Sequence, residues 1–340
     1  MAKSGATEGK LPHRLLGDLI SRLTKPGREV IVGPVVGEDA FAVAVGRSVL
    51  VGTTDPITFT SEHPGYYAVN VNANDVATMG ARPRWFLATL LVPPGTGHRR
   101  LGAIFEEIDG ACVSLGIRLV GGHTEVTRAV TRPVIVGAML GTVSRRGLVV
   151  ARRARPGDVV LITKRLAIEG TSIIARSRRR EVNALLGARA ARRARDLVFA
   201  PGMSIVREAA AAAGAGTVHA MHDPTEGGLV WGLKELSLAT GLGVEVNLES
   251  VPVFEETARI AARFGLNPLG LIASGSLLVA VPRRSRERVM LAVRAAGVEC
   301  TPIGRLRGKQ VVFVSGGARK RPPEIAADEI TRLEDPGKMS

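Results

Sequence analysis

The sequence is poor in cysteine and in long apolar runs. Its two cysteines, Cys112 and Cys300, lie far apart among apolar neighbours, so they make neither a metal-binding pattern nor a disulfide framework, and we expect buried thiols. No apolar run is long enough to span a bilayer, and residues 1–10 lack the apolar segment of a signal peptide. These features predict a cytoplasmic protein that does not enter a membrane.

Aromatic residues are also scarce, at 4% of the chain, although the formal net charge is +15. A nucleic-acid-binding protein needs clustered positive charge together with a surface that reads or stacks on bases. The densest basic cluster, residues 176–195, lies in one Ala/Arg-rich stretch that is typical of an exposed helix. Nucleic acid is therefore not expected as a partner, and a positive field equally suits anionic small ligands such as nucleoside triphosphates.

Two common nucleotide-binding motifs are missing. The chain contains no G-x-x-x-x-G-K-[ST] P-loop and no dinucleotide-binding glycine fingerprint. Any ATP must therefore be bound in another way.

The chain is long enough for two domains, with 340 residues of which 45% are hydrophobic. Strands and helices occur in both halves without a regular βαβ alternation, which favours an α+β fold. A charged, turn-rich segment, A-R-R-A-R-P-G-D at residues 151–158, predicts the domain boundary. We expect an N-terminal domain over 1–152, a C-terminal domain over 153–320 and a loosely held polar tail over 321–340.

Residues 70–83, N-V-N-A-N-D-V-A-T-M-G-A-R-P, combine a helical pattern with four polar residues that disfavour helix interiors. The side chains of Asn70, Asn72, Asn74 and Asp75 compete for the backbone, so they are costly unless they cap the helix, bind or coordinate something. The plainer interpretation is an N-terminal cap region with one redundant asparagine.

Several acidic residues either follow or end a strand, or lie beside glycine or asparagine. They are Glu38 and Asp39, Asp55, Asp75 and Asp223. Magnesium prefers oxygen ligands and usually binds through a few carboxylates plus substrate phosphates. Glycine-rich turns expose N–H groups that can hold phosphate oxygens. Together these loops indicate a metal–triphosphate site. No single loop is specific, and residues 37–39 alone are better explained as a turn or a cap.

Five motifs follow one another in a fixed order: G-E-D-A, T-T-D, N-D-V-A-T-M-G-A-R-P, G-G-H-T-E and H-D-P-T-E-G-G-L. This order resembles the family of aminoimidazole ribonucleotide (AIR) synthetase, thiamine-monophosphate kinase, selenophosphate synthetase and the hydrogenase maturation protein HypE. The resemblance runs from about residue 11 to about residue 314. The third and fifth motifs look closest to HypE. The fourth motif, residues 121–125, is expected as a loop that follows a strand over residues 117–120.

The resemblance implies a two-domain α+β fold, a homodimer whose N-terminal sheets pair into a barrel, and a C-terminal α/β sandwich domain. It also implies ATP bound with Mg²⁺ at the subunit junction. The implied metal ligands are Asp39, Asp55, Asp75 and Glu125. The implied catalytic residues are Asp75, His123 and Asp223. The implied cofactor-binding residues are Gly37, Glu38, Asp39, Asp55, Asn74, Gly121, Gly122, Thr124, Thr225, Gly227 and Gly228.

The chain departs from the family pattern in two places. His123 stands where the family usually has a carboxylate after the Gly-Gly pair. This departure has four alternative explanations. Glu125 could replace the missing carboxylate, or the site could bind fewer metal ions. His123 could instead transfer protons, or it could have only a structural role. The chain ends in D-P-G-K-M-S, without the terminal cysteine that carries the carboxamide in HypE, so we expect that it does not run that reaction on its own tail.

The sequence leaves functions of different classes open. The first is an ATP-dependent enzyme that phosphorylates or dehydrates an amide- or carbonyl-like oxygen of a small-molecule or protein-borne acceptor, in hydrogenase or cofactor maturation. The second is a catalytically silent nucleotide-binding scaffold or regulatory partner of a maturation complex. An RNA-binding protein that uses residues 176–195 is a third. Whether ADP or AMP is the product also stays open.

Overall fold

The computed structural model describes residues 9–58 and 62–333, which form two mixed β-sheets flanked by helices. The elements of the N-terminal half are α1 (His13–Ile20), β1 (Val30–Val32), β2 (Phe41–Val45), β3 (Ser48–Ile57), α2 (Pro64–Thr78), β4 (Arg82–Val92), α3 (His98–Leu115), β5 (Arg118–Val126) and β6 (Val134–Ser144). Their strands form one sheet in the order β1-β2-β3-β6-β4-β5, in which only β4 and β5 are parallel.

The C-terminal half forms a seven-stranded sheet, in the order β13-β12-β9-β11-β7-β10-β8. Its elements are β7 (Val159–Thr163), α4 (Ile168–Ser177), α5 (Arg179–Leu186), α6 (Ala188–Asp196), α7 (Val206–Ala215), β8 (Ala220–His222), α8 (Gly228–Thr240), β9 (Val244–Asn247), α9 (Glu255–Phe264), β10 (Leu278–Val281), α10 (Arg286–Ala295), β11 (Cys300–Leu306), β12 (Val312–Ser315) and β13 (Ala318–Lys320). The two-domain α+β prediction is confirmed.

Helix α2 packs against strand β6 of the first sheet. Strand β6 alternates larger apolar residues with glycines, and these glycines allow the close packing: a Cβ atom at Gly137 would lie 2.4 Å from Asn72 Nδ2, and one at Gly141 would lie 2.5 Å from Val76 Cγ1. Because the C-terminal domain covers another side of α2, almost the whole helix is buried. It therefore has no polar face, and its polar residues lie in the protein interior.

The four polar residues of α2 lie well inside the helix, so the cap-region interpretation is wrong. Asn72 holds the backbone of Asp55: its Oδ1 accepts a hydrogen bond from the Asp55 N–H (2.9 Å), and its Nδ2 donates to the Asp55 carbonyl (3.3 Å). Asn70 donates to the Tyr66 carbonyl one turn earlier (2.8 Å). Hydrogen bonding thus offsets the poor helix propensity of these residues.

Asn74 joins the two domains. Its Nδ2 donates to the Met203 carbonyl (3.0 Å), and its Oδ1 accepts from the Ile205 N–H (2.9 Å). All three residues are fully buried. One side chain therefore satisfies two backbone groups of the segment that precedes α7.

Three expectations about local structure differ from the model. The G-G-H-T-E motif, expected as a loop, lies within strand β5. The Ala/Arg-rich stretch forms parts of three helices rather than one, because Arg178 leaves the helical conformation between α4 and α5, and Gly187 has a positive φ of 78° between α5 and α6. The tail is held in place up to Leu333, with Ile325, Asp328 and Ile330 buried. Residues 334–340 lie outside the described residues.

Other expectations about the chain can be compared directly with the structure. Cys112 and Cys300 are both buried, as predicted. Within the described residues, none of the helices combines the length and the apolar character needed to cross a membrane. The first sheet ends at Ser144 and the second begins at Val159, and the predicted domain bounds stay a prediction.

We expect Asn74→Ala to lower the free energy of unfolding by about 2 kcal/mol or more, because it leaves two buried backbone groups without partners. Urea denaturation of the ligand-free protein measures this change. Asn70→Ala is the matched control, and it should cost less because only one bond, to a helix carbonyl, is lost. Equal losses in the two variants would contradict a domain-joining role for Asn74.

Candidate functional site

Four aspartates from separate segments interact at the contact between the domains. Asp39 follows β1, Asp55 lies near the end of β3, Asp75 lies in α2 and Asp223 follows β8. The Thr53 hydroxyl lies 2.8 Å from Asp75 Oδ2 and 3.1 Å from the Asp39 carbonyl. The fold therefore assembles four of the sequence-predicted site residues into one group, which we call the aspartate cluster.

The negative charges of the aspartate cluster repel one another, and burial and this repulsion both affect the pKa values of its members. Burial raises the pKa of Asp75 well above its ordinary value, and nearby negative charges raise it further, those of Asp55, Asp223 and Asp39. Burial also raises the pKa of Asp55, against the opposing effects of Asp75 and Lys10. The cluster therefore holds protons more tightly than isolated aspartates do.

Asp223 is the least satisfied member of the cluster. Its residue is 2% exposed, and neither carboxylate oxygen has a hydrogen-bond partner within the described residues. Burial raises its pKa well above the ordinary value, as does the charge of Asp39, whereas His222 works in the opposite direction. A buried, ionised carboxylate without a partner is costly, so Asp223 favours either a proton or a bound cation.

His222 compensates part of this charge from the protein interior. Its Nδ1 lies 2.9 Å from the Asp39 carboxylate, and its Nε2 lies 3.0 Å from Glu235 Oε2. Burial lowers the pKa of His222, but the carboxylates of Asp39 and Glu235 raise it by more than burial lowers it. The pKa of His222 therefore lies well above its ordinary value. Both ring nitrogens therefore donate, and an imidazolium joins the N-terminal domain to α8.

Glu235 is contacted by nitrogen atoms of three residues. Lys10 Nζ lies 3.3 Å and His13 Nε2 lies 3.2 Å from its Oε1, in addition to the contact with His222. Burial raises the pKa of Glu235, but hydrogen bonds from His13 and His222 hold this pKa well below its ordinary value. Glu235 thus anchors the side chains of Lys10, His13 and His222. Lys10 Nζ also lies 3.2 Å from the Thr225 hydroxyl.

The loop of the first motif lies directly on α8. Gly37 has a positive φ of 96°, and a Cβ atom there would lie 2.7 Å from the Glu235 carbonyl, so a glycine is required. Glu38 follows, and burial together with the Asp39 charge raises its pKa to about 7, whereas a hydrogen bond from the Ala151 N–H lowers it. The loop thus places Glu38 and Asp39 beside the C-terminal domain.

The glycine pair of the fifth motif, Gly227 and Gly228, lies at the start of α8. Gly228 has φ +59°, and a Cβ atom there would lie 2.5 Å from the Leu271 carbonyl. The Gly227 N–H donates to Asp328 Oδ2 (2.7 Å), so a residue of the predicted tail caps this helix. Nucleotide binding by Thr225, Gly227 and Gly228 stays a prediction.

Strand β5 carries the remaining predicted residues, and the structure does not bring them into contact with the aspartate cluster. They are Gly121, Gly122, His123, Thr124 and Glu125. All of them are exposed; His123 Nε2 lies 3.8 Å from Glu125 Oε2, and neither side chain reaches an aspartate. At Gly122 a Cβ atom would lie 2.1 Å from the Ala88 carbonyl, so this glycine serves the close pairing with β4.

Asn74 binds the C-terminal domain, as described above, and its support of a metal site stays a prediction. No group of three or more His, Cys, Asp or Glu side chains in residues 9–58 and 62–333 has a geometry suited to a metal ion. The four aspartates therefore share an electrostatic environment without already forming a coordination shell.

Several residues of the site were missed by sequence reasoning. They are Lys10, His13, Thr53, His222 and Glu235. His222 directly precedes Asp223 in the fifth motif, and Thr53 belongs to the second motif, so both carried a signal. Neither Glu235 nor the two N-terminal residues had one.

Two family descriptions cover most of the chain. The N-terminal domain of AIR synthase related protein matches residues 37–143, and its C-terminal domain matches residues 155–316. The chain belongs to the AIR synthase-related family.

Two relatives of this AIR synthase-related protein are carbamoyl dehydratases HypE. The one from Bradyrhizobium diazoefficiens is 30% identical over 278 residues, which are 79% of this chain and 75% of the relative. The one from Rhizobium leguminosarum bv. viciae is 28% identical over 301 residues, which are 83% and 81% of the two chains.

Solved structures share the fold of this AIR synthase-related protein. E. coli HypE matches with a TM-score of 0.73 at 23% identity, over 84% of this chain and 88% of that one. HypE in complex with ATP matches with a TM-score of 0.67 at 23% identity, over 95% of this chain and 97% of that one. ThiL complexed with AMPPCP and TMP gives 0.69 at 21% identity, over 87% and 92%. At these identities the likeness establishes the fold.

We expect Asp223→Asn to raise the free energy of unfolding of the ligand-free protein at pH 8 by about 1 kcal/mol or more. Since the folded-state pKa of Asp223 lies above its unfolded value, the folded chain binds more protons between the two values, and its stability falls as the pH rises through that window. Asparagine does not titrate, so the advantage should shrink towards pH 5.

Urea denaturation in EDTA from pH 5 to pH 8 measures this difference. Asp109→Asn, at an exposed position of α3, is the matched control and should show no such trend. An Asp223→Asn protein that is less stable than the wild type at pH 8 would contradict the unsatisfied state of Asp223.

Proposed function

We propose that this protein is an ATP- and magnesium-dependent enzyme that phosphorylates a carbamoyl-like oxygen of an acceptor and so prepares it for dehydration. The observation that carries the proposal is the Asp223 carboxylate, buried without a partner beside three other aspartates. Four carboxylates with so little internal compensation suit a hard cation, which takes oxygen ligands. The donor set therefore fits magnesium.

Each part of the site has a distinct role in this proposal. Asp39, Asp55 and Asp75 would hold the magnesium ion, with Asp223 facing the nucleotide or the acceptor. Magnesium bound with ATP supplies charge neutralisation and orientation of the transferring phosphoryl group. The chain itself supplies position: Asn72 fixes the backbone of Asp55, and Thr53 bonds Asp75.

The relatives support the nucleotide and the acceptor class. HypE has been solved with ATP and ThiL with AMPPCP, which favours ATP as the ligand of the aspartate cluster in this fold. The HypE relatives are named carbamoyl dehydratases, which favours a carbamoyl oxygen. Both cysteines of this chain are buried, so neither presents a thiol as the carrier, and we place the acceptor on another molecule. HypE has also been solved with HypF, which makes a maturation protein a natural acceptor or partner.

We also propose that the protein forms a homodimer through β5. This strand is the edge of the first sheet, all of its residues are exposed, and Leu119, Val120 and Val126 present apolar side chains. An exposed apolar edge strand is a ready template for pairing with another chain. Pairing there would place His123 and Glu125 at a subunit junction, where they would complete the site of the partner.

We expect Asp75→Asn to reduce turnover by about 10²-fold or more, since it removes a carboxylate that orients the charge-neutralising ion. Calorimetric titration of ATP, with and without magnesium, measures binding, and analysis of the same sample for ADP and AMP in the presence of an S-carbamoylated cysteine peptide measures turnover. Asp109→Asn is the control with the same loss of charge. Unchanged turnover in Asp75→Asn would contradict the proposal, and magnesium-dependent binding without ADP or AMP would favour the silent scaffold instead.

We expect Val120→Arg to yield monomers, because it places a charge in the proposed apolar contact. Sedimentation velocity measures the change. Leu291→Arg, at a similarly exposed apolar position of α10, should leave the dimer intact. A monomeric wild-type protein, or a dimer that tolerates Val120→Arg, would rule out pairing through β5.

A further inference from the structure

A basic cavity of about 520 Å³ lies where the linker between the sheets meets the end of α7. Four arginines line it, Arg146, Arg152, Arg153 and Arg155, together with His219. None of the residues that line it is acidic. Its volume lies within the range of pockets that bind small molecules.

Two of the four arginines of this cavity are held in place by carbonyl oxygens. Arg152 donates to the Ile31 carbonyl (3.1 Å), and Arg153 donates to the Leu148 carbonyl (2.7 Å). These acceptors carry no net charge and use one donor of each guanidinium. Within the described residues, none of the four arginines forms an ion pair. Fixed guanidinium groups with free donors are well suited to phosphate oxygens.

A buried carboxylate organises the wall of the cavity. Asp158, which is 4% exposed, accepts from the Arg155 backbone N–H (2.8 Å), and its Oδ2 lies 2.7 Å from His219 Nδ1. This contact occupies one ring nitrogen and leaves Nε2 of His219 for a ligand. Asp158 thereby fixes the turn that carries Arg155 and the orientation of the histidine together.

The cavity adjoins the aspartate cluster but shares no lining residue with it, although the charge of Arg152 lowers the pKa of Glu38, the neighbour of Asp39. His219 precedes strand β8 and Asp223 follows it, so the two sites lie at opposite ends of the strand, about 13 Å apart along the chain at the rise of a β-strand. The charges of the two sites are also opposite. A polyanion without magnesium is repelled by the aspartates and attracted by the arginines.

We infer that this cavity is a binding site for a small organic molecule that carries a diphosphate or triphosphate group. Several guanidinium groups around one space match several phosphate charges, and the apolar side chains of Leu148, Val149 and Val218 in the same wall suit the organic part. A single inorganic phosphate would fill only a fraction of the volume. None of the residues that line this cavity belongs to the aspartate cluster.

Calorimetric titration of inorganic pyrophosphate and of ADP, both in EDTA, tests the inference. The wild-type protein should bind one equivalent of each per chain, ADP more tightly because of the apolar wall. Arg146→Gln/Arg155→Gln should weaken both by at least about tenfold, since it removes two charge-assisted donors. The control is Arg180→Gln/Arg189→Gln, which removes two exposed charges from α5 and α6 and should leave both affinities unchanged.

Equal losses in the two double variants would overturn the inference, because the probes would then follow only the overall positive charge. Absence of saturable binding would overturn it too, as would a short single-stranded RNA that displaces pyrophosphate and binds more tightly. Hydrogen exchange of the wild type gives a readout that needs no variant: ADP should protect residues 146–155 and 213–219. Retained magnesium-dependent ATP binding in Arg146→Gln/Arg155→Gln separates this site from the aspartate cluster.

Discussion

A buried imidazolium holds together the part of the molecule on which the site depends. His222 lies between Asp39 of the first domain and Glu235 of the second, and each of its ring nitrogens meets one carboxylate. The bond joins the domains and also neutralises one member of an otherwise repulsive group. Lys10 adds a second positive charge through Glu235. What remains uncompensated is concentrated at Asp223, which is where a cation is most favourable.

Helix α2 provides the frame for this arrangement. Successive polar side chains leave the helix towards different neighbours: Asn72 towards the backbone of β3, Asn74 towards the segment before α7, and Asp75 into the aspartate cluster. A single rigid element thus sets the packing of the domains and the position of the charges at once. Such a helix cannot be amphipathic, since both of its sides are buried. Its violation of helix propensity is the kind of local conflict that marks functional segments.

The sequence predicted the two-domain α+β fold and indicated the four aspartates, because each aspartate lies beside a local signal: a glycine turn, a strand end or, for Asp75, an asparagine in a helical pattern. It was insufficient for the bond between Asp39 and His222, whose partners are separated by 183 positions and share no local pattern. The sequence alone predicts a loop at the G-G-H-T-E motif, whereas pairing with β4 makes it part of a strand. The tail contains few apolar residues, and only the fold shows that Asp328 caps α8.

A carboxylate that is buried without a partner makes the stability of the folded chain depend on the concentration of the ligand that neutralises it. Asp223 destabilises the folded chain only as long as no cation compensates it. A ligand that binds the folded state alone adds roughly 2.7 kcal/mol of stability when its concentration is a hundred times its dissociation constant. Proteases in the cell remove chains in proportion to the unfolded fraction, and changes of that size alter abundance several-fold. Cells with little free ligand would therefore keep fewer copies of this protein, at an unchanged rate of synthesis.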